Sequence, residues 1–163
     1  MAGAVSKRAY AEWLKKVAER RSWVTMDSHY GDPFTVSTIG SLIAEHNSDV
    51  IGIDGLPLIQ SEVAGEGWQE VKAVSYALQS LAVSRKVYIL VTTQASRDAA
   101  NATVPELHQI AYGDGFAQAC SIIIALGYHA DEYKRYLAIT KNRFGKAFRP
   151  VEITYKPGEG LIG

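Results

Sequence analysis

A single cysteine, Cys120, is all the thiol chemistry in a chain of 163 residues. No disulfide framework can form. One thiol beside Ser121-Ile122-Ile123-Ile124 reads as a buried side chain on a strand, not a ligand or a nucleophile. Histidine is sparse too: His29, His46, His108 and His129 are scattered without metal-ligand spacing. Lysine plus arginine number 17, and so do aspartate plus glutamate, which leaves no net charge. No global field therefore draws the chain to nucleic acid or to a membrane surface, although a local patch for DNA stays open. No apolar run is long enough to span a bilayer. Lys7 and Arg8 are not followed by the apolar stretch of a signal peptide, so a cytoplasmic location is the expectation. No Gly-x-x-x-x-Gly-Lys-Ser/Thr phosphate loop occurs either. The one Gly-Lys pair, Gly145-Lys146, is followed by Ala147 and lacks the upstream glycine.

What is present suits one α/β domain. The apolar share of 47% and the charged share of 21% are ordinary for a globular chain, and the length allows a sizeable core. The most informative stretch is Val50-Ile51-Gly52-Ile53-Asp54-Gly55-Leu56. A short apolar run ending in an acid and a glycine predicts a strand buried on both faces, as in a parallel sheet. The end of such a strand is where open α/β sheets bind ligands, so Asp54 is placed at the mouth of a site. An aspartate here equally suits the cap of the following turn.

Along the chain, Tyr10, Trp13, Leu14 and Val17 share a helical face and predict a helix ending near Arg21. Trp23 to Met26 is a strand candidate. Asp32-Pro33 looks like a cap and first-turn proline for a helix through Val36, Ile39, Leu42 and Ile43. Val71, Val74, Leu78 and Leu81 space a helix from about Trp68 to Ser84. Val87 to Val91 predicts a second buried strand, ending in Thr92-Thr93-Gln94. Ser96 to Thr103 has little apolar bulk and predicts a mobile loop. Pro105 to Tyr112 predicts a short helix, and Ile122 to Leu126 a third strand. From Tyr133 the period becomes two, and a turn through Asn142 to Gly145 leads to Val151–Tyr155, a β-hairpin. Helices alternating with strands, then a hairpin, predict a mixed, mostly parallel sheet flanked by helices.

Four blocks stand in order: the strand ending at Asp54; Val91-Thr92-Thr93-Gln94-Ala95-Ser96-Arg97; Ile110 to Gln118; and Thr140-Lys141-Asn142-Arg143-Phe144-Gly145. Together they resemble the RecA-like motor domain of DnaB-type replicative hexameric helicases, particularly those encoded by phages. The resemblance covers about residues 10 to 155 and implies the C-terminal portion of a single RecA-like domain, incomplete at its N-terminal side. It implies that Asp54 is the Walker B acid, holding Mg²⁺ through water beside ATP, and that Gln94 is the sensor glutamine. Lys141 and Arg143 resemble the pair that reaches the γ-phosphate of a neighbouring subunit, with Arg143 as arginine finger. Arg97 and Asn101 would face single-stranded DNA from the loop after Gln94. The partners implied are other copies, or a chain bearing the phosphate loop, in a ring within a bacterial or phage-infected cell.

The spacing of the two cations is sensible on its own, since positions two apart on an extended chain point to one side. A pair of solvated charges at a hairpin tip would look the same. Departures from the family pattern are specific. The phosphate loop is missing, Asp54 is followed by Gly55-Leu56 with no second acid, and Ala119-Cys120-Ser121 stand where acids usually follow the glutamine at Gln118. The chain alone is therefore expected to be inactive. Two alternatives remain: a non-catalytic RecA-like module for assembly or regulation, and a RecA-like ATPase of recombinase or clock type.

Overall fold

The computed structural model describes residues 34–63, 67–100, 102–111, 114–147 and 149–163, together with Glu12 and Lys15. The expected first helix, apart from those two helical positions, lies outside the described residues, as do Trp23–Met26, Asp32-Pro33 and Asn101.

Helix α1 (Val36–His46) starts at Thr35, whose extended backbone and side-chain oxygen cap it: the Thr38 amide donates to Thr35 Oγ1 at 3.3 Å. The cap is Thr35, not Asp32, because the capping oxygen must stand directly before the first helical residue. Asn47 ends the helix in the left-handed conformation. Strand β1 (Val50–Ile53) follows, then a single turn of 3₁₀ helix at Leu56–Leu58. Helix α2 (Trp68–Arg85) crosses over to strand β2 (Tyr88–Val91), which pairs with β1 in parallel, Val50 opposite Tyr88 and Ile53 opposite Val91. A parallel pair needs such a crossover. Ile39 and Ile43 of α1 bury against Val71, Val74 and Leu78 of α2, with Phe116 of a later helix. Burying side chains of this size stabilises by about 1.5–3 kcal/mol each.

The sheet is not one mixed, mostly parallel sheet among the described residues. β1 and β2 form a two-stranded parallel sheet. Strands β3 (Ile122–Gly127), β4 (Lys134–Asn142), β5 (Val151–Lys156) and β6 (Leu161–Ile162) form a separate antiparallel sheet in that order. Nor are β1 and β2 buried on both faces. Ile51, Ile53, Ile89 and Val91 pack on the core, while Val50, Tyr88 and Leu90 are exposed. The two helices cover one face only, so a run apolar enough for two-sided burial is half used.

Helix α3 (Asp114–Ala119) packs on α2 and leads into β3. It was not expected, being six residues long. The helix expected over Pro105–Tyr112 is only a 3₁₀ turn at Leu107–Gln109, where the Gln109 side chain closes on the Glu106 amide at 3.0 Å. The loop expected to be mobile is anchored: Ala99 is buried, and the Ser96 amide donates to Gln109 O at 2.7 Å. Cys120 is half-buried in the joint between α3 and β3, not on a strand. The hairpin is as expected, with β4 and β5 antiparallel from Lys134 opposite Thr154 to Leu137 opposite Val151. Lys134 Nζ reaches Glu152 at 2.7 Å, and that hydrogen bond holds the exposed Glu152 carboxyl below the usual range.

Candidate functional site

Asp54 stands one residue beyond β1, exposed, at the carboxyl end of the parallel pair. The backbone there is clamped to β2. The Thr92 amide donates to Ile53 O at 3.0 Å, and the Leu56 amide to Thr92 O at 2.9 Å. Gly55 makes this closure possible because its φ of +96° is one an L side chain rarely adopts. The Thr92 hydroxyl sits between the strands: it donates to Asp54 Oδ1 at 2.6 Å and accepts from the Gly55 amide at 2.9 Å. One carboxylate oxygen is therefore fixed by a short charge-assisted bond, and the carboxylate as a whole faces solvent.

That donor set bears on Mg²⁺. No group of three or more His, Cys, Asp or Glu able to hold a metal occurs among the described residues. A lone oriented carboxylate does not cage a cation. It does suit Mg²⁺, which keeps several waters and commonly takes only one or two carboxylates plus substrate phosphates. The residues present thus fit the role through water and not direct ligation by several side chains.

Gln94 lies three residues beyond β2 with an exposed side chain, and its backbone carbonyl accepts from the Ala111 amide at 3.0 Å. The neighbouring Thr93 hydroxyl oxygen is buried with no hydrogen-bond partner. Arg97 opens a single 3₁₀ turn, Arg97–Ala99, with its side chain exposed.

Lys141, near the end of β4, and Arg143, in the turn after it, are brought together, and the structure shows what aims them. A bulge interrupts the β3–β4 pairing: Ile123 faces Lys141 while Ile124 faces Ile139, so Thr140 is the extra residue. Bulges re-aim the side chains beside them. Lys141 Nζ donates to Ala117 O at 2.5 Å and to Gln118 O at 3.3 Å, and Arg143 Nη2 donates to Gln118 O at 3.0 Å. These carbonyls end α3, where the helix leaves its last acceptors unpaired and its dipole favours cations. The Gln118 side chain is held from the other side by the Tyr76 hydroxyl at 3.1 Å. Burial pushes the nearby Cys120 thiol up, and Lys141 and Arg143 oppose that shift.

Asp54 and the two cations are carried by different sheets, and no ion pair joins them among the described residues. Two participants escape sequence reasoning. Thr92 was visible only as a polar residue at a strand's end. The Ala117 and Gln118 carbonyls carry no side-chain signal at all.

No family model matches the sequence. The chain is 30% identical over 138 residues to a probable plasmid replicative DNA helicase of Chlamydia trachomatis serovar L2, and equally to that of Chlamydia trachomatis. The match takes in 83% of this chain and spans only 30% of the length of those curated relatives. Among solved structures, a DnaB-like replicative helicase described with its interactions with primase superposes with a TM-score of 0.72 at 15% identity, over 95% of this chain and 41% of that one. The ATPase domain of G40P superposes with a TM-score of 0.70 at 19% identity, over 79% of this chain and 51% of that one. No described helix is long and apolar enough to cross a membrane. The chain is thus homologous to a plasmid replicative DNA helicase and, over most of its length, shares the fold of DnaB-like helicase ATPase domains.

Proposed function

We propose that this chain is the C-terminal portion of the motor of an ATP-driven, DnaB-type replicative DNA helicase. The observation that carries the reading is the oriented Asp54 carboxylate at the carboxyl end of a parallel strand, in a chain homologous to a replicative helicase. In this reading Asp54 holds Mg²⁺ through water. The metal, when bound, would neutralise charge on the ATP phosphates. Gln94 senses the nucleotide state from the end of β2. Lys141 and Arg143 leave the carbonyls of α3 for the γ-phosphate bound by a neighbouring subunit, where they would stabilise the charge of phosphoryl transfer. The phosphate cradle would complete the site from outside residues 1–163, in a ring in which Arg97 and Asn101 meet single-stranded DNA.

A second reading, a non-catalytic RecA-like module for assembly or regulation, is favoured by the lack of a second acid beside Asp54, which is followed by Gly55-Leu56. The two separate by experiment. The purified chain should not turn over ATP. Added to a chain that bears the phosphate loop, it should restore Mg²⁺-dependent hydrolysis, and Asp54→Ala should abolish that gain. Hydrolysis by the chain alone, lost on Asp54→Ala, would overturn the division of labour. Assembly without any gain in hydrolysis would favour the regulatory module.

A further inference from the structure

The turn after β4 is held in shape and carries an apolar side chain outward. Asn142 Oδ1 accepts from the Phe144 amide at 3.1 Å, and Asn142 Nδ2 donates to Lys146 O at 3.2 Å. The Arg143 amide donates to Ser121 O at 2.9 Å, which ties the turn to the start of β3. Phe144 is nevertheless 78% exposed, the most open of the large apolar side chains among the described residues. One exposed ring is ordinary by itself. Its position is not, because it directly follows Arg143. Consecutive Cα atoms lie about 3.8 Å apart, so wherever Arg143 reaches, Phe144 lands alongside.

The Asp54 site offers a matching side chain. The 3₁₀ turn Leu56–Leu58 buries Leu56 and the following Ile59, yet leaves Leu58 69% exposed. The Leu58 amide donates to Gly55 O at 3.0 Å. Its side chain folds back so closely that a Cβ on Gly55 would lie 2.9 Å from Leu58 Cδ1. Leu58 therefore stands beside the residue that follows Asp54. Charge runs opposite around the two apolar side chains. Arg143 and Lys146 flank Phe144 in the chain, while Asp54 and Glu62 flank Leu58, and all four are exposed. Hydrogen bonds from the Ser37 hydroxyl and amide hold the Glu62 carboxyl below the usual range, which keeps it charged.

We propose that Phe144 of one copy packs on Leu58 of the next, an apolar contact that seats the hairpin turn at the neighbour's Asp54. The inference rests on the trans role of Arg143 proposed above and names what docks it. The two surfaces differ, a hairpin turn on one copy and a 3₁₀ turn on the other. The contact is therefore head-to-tail, the kind that closes into a ring. An apolar centre inside an oppositely charged rim is the usual anatomy of an interface. Asn142 already fixes the turn, so little ordering entropy opposes docking.

The test measures assembly, by sedimentation, of rings reconstituted from the full chain and a chain bearing the phosphate loop. Phe144→Glu or Leu58→Lys alone should weaken assembly at least about tenfold, because each sets a charge against an apolar partner. Both residues are exposed, so the variants should fold as the parent does, which circular dichroism checks. Both substitutions in one chain set opposite charges across every interface. That double variant should recover to within about threefold of the parent, a coupling that touching residues show and distant ones do not. Single variants that assemble normally, a double variant no better than the singles, or a chain that never assembles would overturn the proposal. The motor reading fails differently. Rings that show the recovery yet hydrolyse no ATP would count against the motor and leave this contact standing. Rings that hydrolyse ATP and ignore both substitutions would do the reverse.

Discussion

The Thr92 hydroxyl bridges two strand ends, donating to Asp54 Oδ1 at 2.6 Å while accepting from the Gly55 amide at 2.9 Å. Thr92→Val removes donor and acceptor together and keeps the shape. The expected cost is about 1 kcal/mol in urea unfolding, the usual net worth of such bonds. Thr92→Ser should retain most of the stability. A valine variant as stable as the parent would show that the bridge contributes nothing.

Next to it, the buried Thr93 oxygen has no partner. A buried unsatisfied hydroxyl costs about 1–3 kcal/mol, so Thr93→Val should leave the chain equally stable or more stable, by up to about 1 kcal/mol. A clear loss of stability would mean that the hydroxyl is bonded.

The approach of loop 95–111 to β3 depends on Gly127. A Cβ there would lie 1.7 Å from the Thr103 carbonyl oxygen, and 2.6 Å from its carbon. These are backbone atoms that cannot rotate away. Gly127→Ala should cost roughly 2 kcal/mol or more, since overpacking of this kind forces the backbone to shift. Exchange of the Tyr128 amide, which donates to Ala102 O, should speed up. Unchanged exchange and stability would contradict the contact.

Much of this was legible in the residues, and the misses share a cause. α2 shows in the spacing of Val71, Val74 and Leu78, because one helix face alone decides it. The β4–β5 hairpin shows in the alternation from Tyr133, because period two is local. The burial of β1 and β2 was over-read. Val50, Tyr88 and Leu90 are apolar enough for a two-sided strand, but which faces are covered depends on elements elsewhere. Asp32-Pro33 carries the standard signature of a helix start, yet Thr35 makes the cap. Lys141 and Arg143 do meet, but Arg143 lies in the turn past β4 and not on the strand, and their seat on the end of α3 rests on backbone carbonyls that no sequence pattern marks.

Cys120 supplies a pH test. Burial is the main cause of its shift, raising the thiol above the ordinary 9.0, with Lys141 and Arg143 acting in opposition. A raised group contributes stability that is whole below the unfolded value and lost as pH rises through the folded one. Above pH 9.0 the unfolded thiol ionises while the folded one resists, so unfolding free energy should fall with pH. Cys120→Ala should flatten that part of the profile, whatever its packing cost at neutral pH. Parallel profiles for the two proteins would contradict the assigned burial.

The central claim is that Asp54 serves its own subunit's nucleotide while Lys141 and Arg143 serve the neighbour's. The most direct measurement is ATP hydrolysis by reconstituted rings that mix Asp54→Ala and Arg143→Ala subunits with the chain bearing the phosphate loop. Each variant alone should be silent, since a trans-acting arginine is worth about 10³ to 10⁵ in rate. Mixed rings contain some interfaces with both groups intact, so the account predicts that activity returns on mixing. No recovery in rings verified to be mixed would contradict it, leaving the two groups at one site or the hairpin cations without a catalytic role.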